Sequence, residues 1–431
     1  MRAVTRRGLV VLLDLVGSTQ ELLVSGARFG GRSGEEVLTQ IISRIAECFW
    51  EQGAETLAFT GDGLLAFIED TGRASRLSWA LSDALRRSEE SVHEACVMFG
   101  RRLTLRGAVH LGNVLEVIDG PFSGYLVGRT VFLMDELCET ARRGDYRPGL
   151  IASVAATPAA VRYCGLQVRP YPVYPARQAR LLSSLQPLCL LDQPPVGTGG
   201  CWPVTRTVRE SASGLVLHLE LQPGAHGIVF PQLPVYAEAL LGLVRLAALC
   251  GAEVLNIMPT AVLAFIEDSA TVTLQLQQVL RCVLERGPFR GSGLTGPELV
   301  KRARASGWQD VRLVAGAAYG ALTRPFTGPL TGQALGGTIV FAGRFARQIG
   351  ADFWWRQTRT RRYWPPATLA LPYETNDPRH VPASAPGLWT GLCDRETVAA
   401  GRRFGGLPPG SKLSNLPAAG FRSAQILCSE P

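Results

Sequence analysis

Gly53-Ala54-Glu55-Thr56-Leu57-Ala58-Phe59-Thr60-Gly61-Asp62-Gly63-Leu64-Leu65-Ala66-Phe67-Ile68-Glu69-Asp70 has a second version further along the chain: Gly251-Ala252-Glu253-Val254-Leu255-Asn256-Ile257-Met258-Pro259-Thr260-Ala261-Val262-Leu263-Ala264-Phe265-Ile266-Glu267-Asp268. The opening Gly-Ala-Glu and the closing Leu-Ala-Phe-Ile-Glu-Asp stand at the same separation in both. Chance does not produce that, so the chain reads as two copies of one domain. The centres differ. The first copy has Gly61-Asp62 where the second has Pro259-Thr260, so one copy keeps a carboxylate that the other lacks. That asymmetry points to a division of labour between two halves of one site.

Each repeat has the pattern of a hairpin. Asp62-Gly63 between the apolar runs Glu55–Phe59 and Leu64–Ile68 is a strong turn signal. Before it, Gly8–Leu13 reads as a buried strand ending in Asp14, and a loop over Leu15–Thr19 follows. Glu35–Glu51 carries apolar residues at helical spacing. After the hairpin come a helix over Ala74–Arg87, a strand over Leu103–His110, an arm around Gly120-Pro121 and Gly124, and a helix from Gly128 to about Arg142. Strand-like segments close the domain near Gln193. In the second copy Gly214–Glu220 matches Gly8–Asp14, and Thr331–Thr338 matches Ser123–Thr130. The expected domains are 1–193 and 214–431, joined by a Pro/Gly-containing linker at 194–213. The fold class is α+β. Each domain follows the ferredoxin-like order βα(α)ββαβ, a mostly antiparallel sheet with helices on one face.

Composition narrows the function classes. An apolar fraction of 46% and a charged fraction of 19% over 431 residues describe a globular chain with room for two or three cores. The net charge of +8 is compatible with nucleic acid, a membrane surface or a phosphate-rich small ligand. One basic run, Arg356–Arg362, is flanked by Trp354, Trp355 and Trp364. It reads as a solvated loop or partner surface rather than a nucleic-acid site, and no aromatic pair on the sheet strands favours RNA stacking. The ten cysteines form neither a CxxC nor a Cys/His cluster, which indicates reduced thiols and a cytoplasmic protein. The apolar run after Arg2, Arg6 and Arg7 stops at Asp14, too early for a signal peptide. No stretch reaches the about 20 apolar residues of a membrane span.

Asp14 ends a buried strand, and Asp62 sits on the next hairpin. In a ferredoxin-like sheet those strands are neighbours, so both carboxylates can face one cleft. Two such groups repel unless a cation lies between them. Oxygen ligands of this kind suit Mg²⁺ or Mn²⁺ bridging phosphates. The main-chain N–H groups of Val16, Gly17, Ser18 and Thr19 suit a polyphosphate. Taken singly, each carboxylate also has a local reading, Asp14 as a helix cap and Asp62 as turn chemistry.

Four blocks in order give the chain a resemblance to class III nucleotidyl cyclases, the adenylate/guanylate cyclase catalytic domain. They are Leu13-Asp14-Leu15-Val16-Gly17-Ser18-Thr19, Phe59-Thr60-Gly61-Asp62, Arg106-Gly107-Ala108-Val109-His110-Leu111-Gly112 and Gly128-Arg129-Thr130-Val131. The resemblance covers 8–190 well and 214–350 more faintly. It implies a head-to-tail pairing of domains, here an intramolecular pseudo-dimer of the two halves. Two ions, Mg²⁺ or Mn²⁺, would be held by Asp14, Leu15 and Asp62. An arginine eight residues after the arm glycine would stabilise the transition state. In the second copy that residue is Arg344; the first copy has Glu136 there. Glu220 and Thr260 replace the two aspartates in the second copy. The implied reaction converts a nucleoside triphosphate to a 3′,5′-cyclic nucleotide second messenger and pyrophosphate at one composite site.

The base pocket departs from the family pattern. Asn256 and Gln333 stand at the base-reading positions, and Val340 replaces the ribose-orienting asparagine. An amide offers both donor and acceptor, so this pair suits uracil, cytosine or a purine edge. The pyrimidine cyclases of the Pycsar anti-phage system likewise lack the adenine pair, and the chain is similar to them in that respect. A second class of reading stays open: a catalytically silent cyclase-like module that binds nucleotide and regulates a partner. His110 reads as a structural histidine, since the family uses none there.

Overall fold

The computed structural model describes residues 2–18, 34–59, 62–99, 103–119, 124–128, 130–131, 133–134, 137–138, 152–170, 189–191, 209–222, 233–258, 260–267, 278–279, 282–283, 294–308, 311–325, 333–344, 346, 367–372, 414–418 and 421–428. The chain divides into two compact units, with the main break between Arg209 and Glu210.

The first unit runs β1 (Ala3–Val16), α1 (Gly34–Trp50), β2 (Glu55–Phe59), β3 (Gly63–Glu69), α2 (Ala74–Phe99), β4 (Thr104–Val117), β5 (Leu126–Val127), β6 (Ala152–Ala156), α3 (Pro158–Cys164), β7 (Val168–Pro170) and β8 (Cys189–Leu191). Its sheet has the order β2-β3-β1-β4-β6-β8-β7, with β5 paired to β4. Among the described residues its strand pairings are antiparallel except β4 with β6. The core strand β1 is flanked by β3 and β4, and Leu9 to Leu13 on it are buried. Helices α1 and α2 bury Ile41, Ile42, Ile45, Phe49, Leu81 and Val92 at helical spacing.

The second unit runs β9 (Arg209–Gln222), α4 (Leu233–Leu249), β10 (Glu253–Ile257), β11 (Ala261–Glu267), α5 (Gly296–Ala305), β12 (Arg312–Pro325), α6 (Gly337–Arg344), β13 (Ala367–Pro372), β14 (Ser414–Ala418) and β15 (Phe421–Cys428). Its sheet order, β10-β11-β9-β12-β13-β15-β14, follows the first strand for strand. The registers agree too: Gly8 faces Glu69 as Gly214 faces Glu267. Each hairpin has its irregularity at the same place, between Thr56 and Ala58 and between Val254 and Asn256. The molecule is thus a mixed α/β protein with two mostly antiparallel sheets.

Several elements are longer than their sequence patterns predict. β1 begins at Ala3 rather than Gly8, because the charge of Arg6 is met in place. Glu55 on β2, Glu69 on β3 and Glu116 on β4 all bind its guanidinium, which also lies 5.1 Å from the centroid of the Phe67 ring. In the second unit Arg324 of β12 binds Glu253 and covers Phe265 at 5.5 Å. A cation therefore covers equivalent phenylalanines from different strands. Helix α2 runs on to Phe99 rather than stopping at Arg87; no Gly or Pro intervenes before Gly100, and Val92 and Ala95 continue its buried stripe. β4 continues past His110 to Val117 as the long partner of β1. Helix α3, absent from the sequence reading, starts at a Thr157-Pro158 step and ends at Gly165 with φ of 62°.

Among the described residues, no helix is long and apolar enough to cross a membrane.

Gly8 and Gly214 occupy equivalent crowded sites. A Cβ at Gly8 would collide with the Ile68 carbonyl and the Phe67 ring, and one at Gly214 with the Ile266 carbonyl and the Phe265 ring. Gly8→Ala and Gly214→Ala are each expected to destabilise their unit by about 1–3 kcal/mol, the usual scale of overpacking. Urea unfolding followed by circular dichroism checks this; wild-type midpoints in both variants would contradict it.

Candidate functional site

Asp14 and Asp62 are brought together by main-chain pairing before any side-chain interaction is counted. Asp14 on β1 lies opposite Gly63 on β3. One residue on, the Leu15 N–H donates to the Asp62 carbonyl at 2.9 Å. The two carboxylates therefore belong to the same end of the sheet. Beyond Val16 the chain leaves β1 through Gly17, whose φ of 93° lies in the region that favours glycine. That turn brings Ser18 back under the hairpin. Ser18 is fully buried, and its hydroxyl donates to Asp62 Oδ2 at 2.6 Å.

Asp14 has a different neighbour. Arg106 lies directly across the β1–β4 ladder, and its Nε and Nη2 both reach Asp14 Oδ2 at 2.5 Å. Each side chain is 15% exposed, so solvent screens this pair weakly. The charge-assisted bonds offset the cost of holding Asp14 away from water. One carboxylate of the two is thus held by a fixed positive charge and the other by a neutral hydroxyl.

The second unit repeats the backbone and changes the chemistry. The Leu221 N–H donates to the Thr260 carbonyl at 2.8 Å, and Glu220 faces Ala261. Glu220 is buried with His218, whose Nε2 lies 3.1 Å from Glu220 Oε2. Burial lowers the Arg312 pKa to about 10, with the charge of Glu220 pulling it back up. Matching the parallel ladders β4–β6 and β12–β13 places Val314 level with Arg106. The arginine that faces an aspartate in the first unit therefore has no counterpart at that level of the second.

The remaining predicted residues fall as follows. Leu15 is buried, and Val16 ends β1. Thr19, Arg129, Glu136 and the Arg356–Arg362 run lie outside the described residues. Asn256 is 2% exposed on β10, just after the irregularity in the hairpin. Gln333 precedes the Thr323–Leu335 bridge, and its Oε1 is buried with no hydrogen-bond partner. Val340 is 3% exposed within α6, and Arg344 is the last residue of that helix. His110 is buried, with Nδ1 2.9 Å from the Thr157 hydroxyl, as a structural histidine should be.

Sequence reasoning gave no role to Arg106, although it opens one of the quoted blocks. The missing information was register: only the β1–β4 pairing shows that it lies across from Asp14. The anchoring of Asp62 by Ser18 likewise depends on how the chain turns at Gly17.

The donor set can be compared with the metal that the sequence resemblance implies. Among the described residues, no group of three or more His, Cys, Asp or Glu side chains could hold an ion. Mg²⁺ and Mn²⁺ accept carboxylate oxygens alongside water and substrate phosphates, so Asp14 and Asp62 are donors of the right chemical type for them. They do not form an all-protein cage.

No protein-family model matches the sequence, and no curated protein matches it. Solved structures of cyclases are similar to it. A class III adenylyl cyclase-like ATP-binding protein from Pseudomonas aeruginosa is 12% identical, covering 80% of this chain and 82% of its own, with a TM-score of 0.48. The guanylyl cyclase Cya2 is 17% identical over 46% of this chain and 96% of its own, with a TM-score of 0.34. The adenylyl cyclase CyaB from P. aeruginosa is 13% identical over 46% and 100%, also at 0.34.

The Asp14–Arg106 pair is testable without any assumption about activity. A double-mutant cycle with Asp14→Ala and Arg106→Ala is expected to give a coupling of about 1–3 kcal/mol in urea unfolding, since each single change removes this partner from a part-buried charge. Additive effects would show that the two residues do not interact.

Proposed function

We propose that the chain is a class III nucleotidyl cyclase, converting a nucleoside triphosphate to a 3′,5′-cyclic nucleotide and pyrophosphate. The carrying observation is the Asp14–Asp62 pair, joined by the Leu15–Asp62 main-chain bond, set against Glu220 and Thr260 on the same backbone frame in the second unit. We read 1–193 and 214–431 as two ferredoxin-like cyclase domains related by duplication, forming an intramolecular pseudo-dimer. The matching strand orders and registers support the duplication.

In this account Asp14, Asp62 and the Leu15 carbonyl would hold Mg²⁺ or Mn²⁺. When bound, the two ions would lower the pKa of the attacking 3′-hydroxyl and neutralise charge developing on the phosphates. The N–H groups of Val16, Gly17, Ser18 and Thr19 would receive triphosphate oxygens. Arg344, from the second half, would stabilise the equatorial and leaving oxygens of the transferred phosphoryl group. The 3′-hydroxyl would lose its proton to solvent as its oxygen bonds the α-phosphorus, the bond from that phosphorus to the α–β bridging oxygen would break, and pyrophosphate would leave with that oxygen.

Base recognition falls to Asn256 and Gln333. The buried, unpartnered Gln333 Oε1 supports that role, because a lone buried acceptor is costly until a donor such as a base N–H meets it. A pyrimidine substrate, and with it a second messenger of anti-phage defence, is the fuller form of the proposal. Val340 offers the ribose no hydrogen bond, so sugar placement would rest on the phosphate and base contacts.

Manganese-dependent pyrophosphate release from each of the four nucleoside triphosphates tests the assignment. The wild type is expected to turn over at least one of them. Asp14→Ala and Asp62→Ala should each lower kcat by about a hundredfold or more, and Arg344→Ala should lower kcat more than it raises KM. Release unaffected by either aspartate change would defeat the site. No release from any triphosphate would leave the silent nucleotide-binding module as the reading.

A further inference from the structure

The two carboxylates of the candidate metal site are held by different kinds of group. Asp62 receives a bond from the neutral Ser18 hydroxyl. Asp14 receives two from the permanently charged Arg106 guanidinium, both on the same oxygen. A divalent ion approaching Asp14 therefore meets a carboxylate that already has a cation on it. Two cations sharing one weakly screened carboxylate repel each other. The ion must either displace Arg106 or bind beside it, and each lowers its affinity. A polyphosphate arriving with the ion reverses the balance, because its negative charge offsets the excess and offers the guanidinium a replacement acceptor. In the second unit Val314 stands level with Arg106, Glu220 lies against His218, and the arginine whose charge interacts with Glu220 is Arg312, at the start of β12.

We infer that Arg106 is an internal counter-cation that keeps Asp14 from taking up a divalent metal alone, so that metal enters the site together with a polyphosphate. This rests on the metal-site reading above and adds an order of binding to it. Arg106 acts here through Asp14, as a positioning and charge-balancing residue.

The test is Mn²⁺ binding by the full chain without nucleotide, followed by the electron paramagnetic resonance signal of free Mn²⁺. Arg106→Gln is expected to tighten binding about tenfold, the scale of removing one nearby, weakly screened positive charge. Arg106→Lys keeps the charge but loses the fork that grips Asp14, and a rise of about threefold is expected. It decides the matter if the glutamine variant does not fold. In the Asp14→Asn background, Arg106→Gln should no longer tighten binding. Unchanged or weaker binding in the folded Arg106 variants, with Asp14→Asn still weakening the wild type, overturns the inference and leaves the metal site standing. Equal tightening with and without Asp14 also overturns it, since the effect would then be one of general charge. Binding indifferent to both Asp14→Asn and Asp62→Asn removes the metal site, and the inference falls with it.

Discussion

The pairing of β1 with β3 is the constraint from which the first unit's chemistry follows. It sets Asp14 opposite Gly63 and lets the Leu15 N–H bond the Asp62 carbonyl. Two acidic residues far apart in sequence are thereby fixed to one end of one sheet. Each carboxylate then has its own local partner: Arg106 on β4 for Asp14, and Ser18 for Asp62. Both contacts depend on the ladder that sets these residues at one end of the sheet.

The same backbone in the second unit shows which features belong to folding and which to chemistry. Gly214, Phe265, the hairpin irregularity and the Leu221–Thr260 bond all repeat. These are requirements of the sheet: a glycine where strand and ring crowd together, and a main-chain bond that closes the hairpin. The acidic pair does not repeat. Glu220 is enclosed with His218, and Thr260 carries no charge. Keeping the frame while breaking up the acidic pair is what a division of labour would leave behind, and the proposed function builds on that contrast.

Much of this was legible in the sequence, for identifiable reasons. The hairpin was readable because the turn residues leading into Gly63 interrupt two apolar runs. The likeness of the two units was readable because the repeat preserves spacing as well as composition. Other features were hidden. β1 extends through Arg6 only because Glu55, Glu69 and Glu116 converge on it from three strands, which no local pattern reveals. Arg106 needed the β1–β4 register, and Ser18 needed the turn at Gly17. Gln333 was legible as a position, but its unpartnered acceptor was not.

The most direct test of the account is the identity of the product. The wild-type chain would be incubated with mixed nucleoside triphosphates and Mn²⁺, and the products resolved by mass. The account predicts a 3′,5′-cyclic nucleotide from at least one triphosphate, with one pyrophosphate for each, and neither product from the Asp62→Ala protein. Triphosphates returned intact, or cleaved to diphosphate and inorganic phosphate, would contradict it.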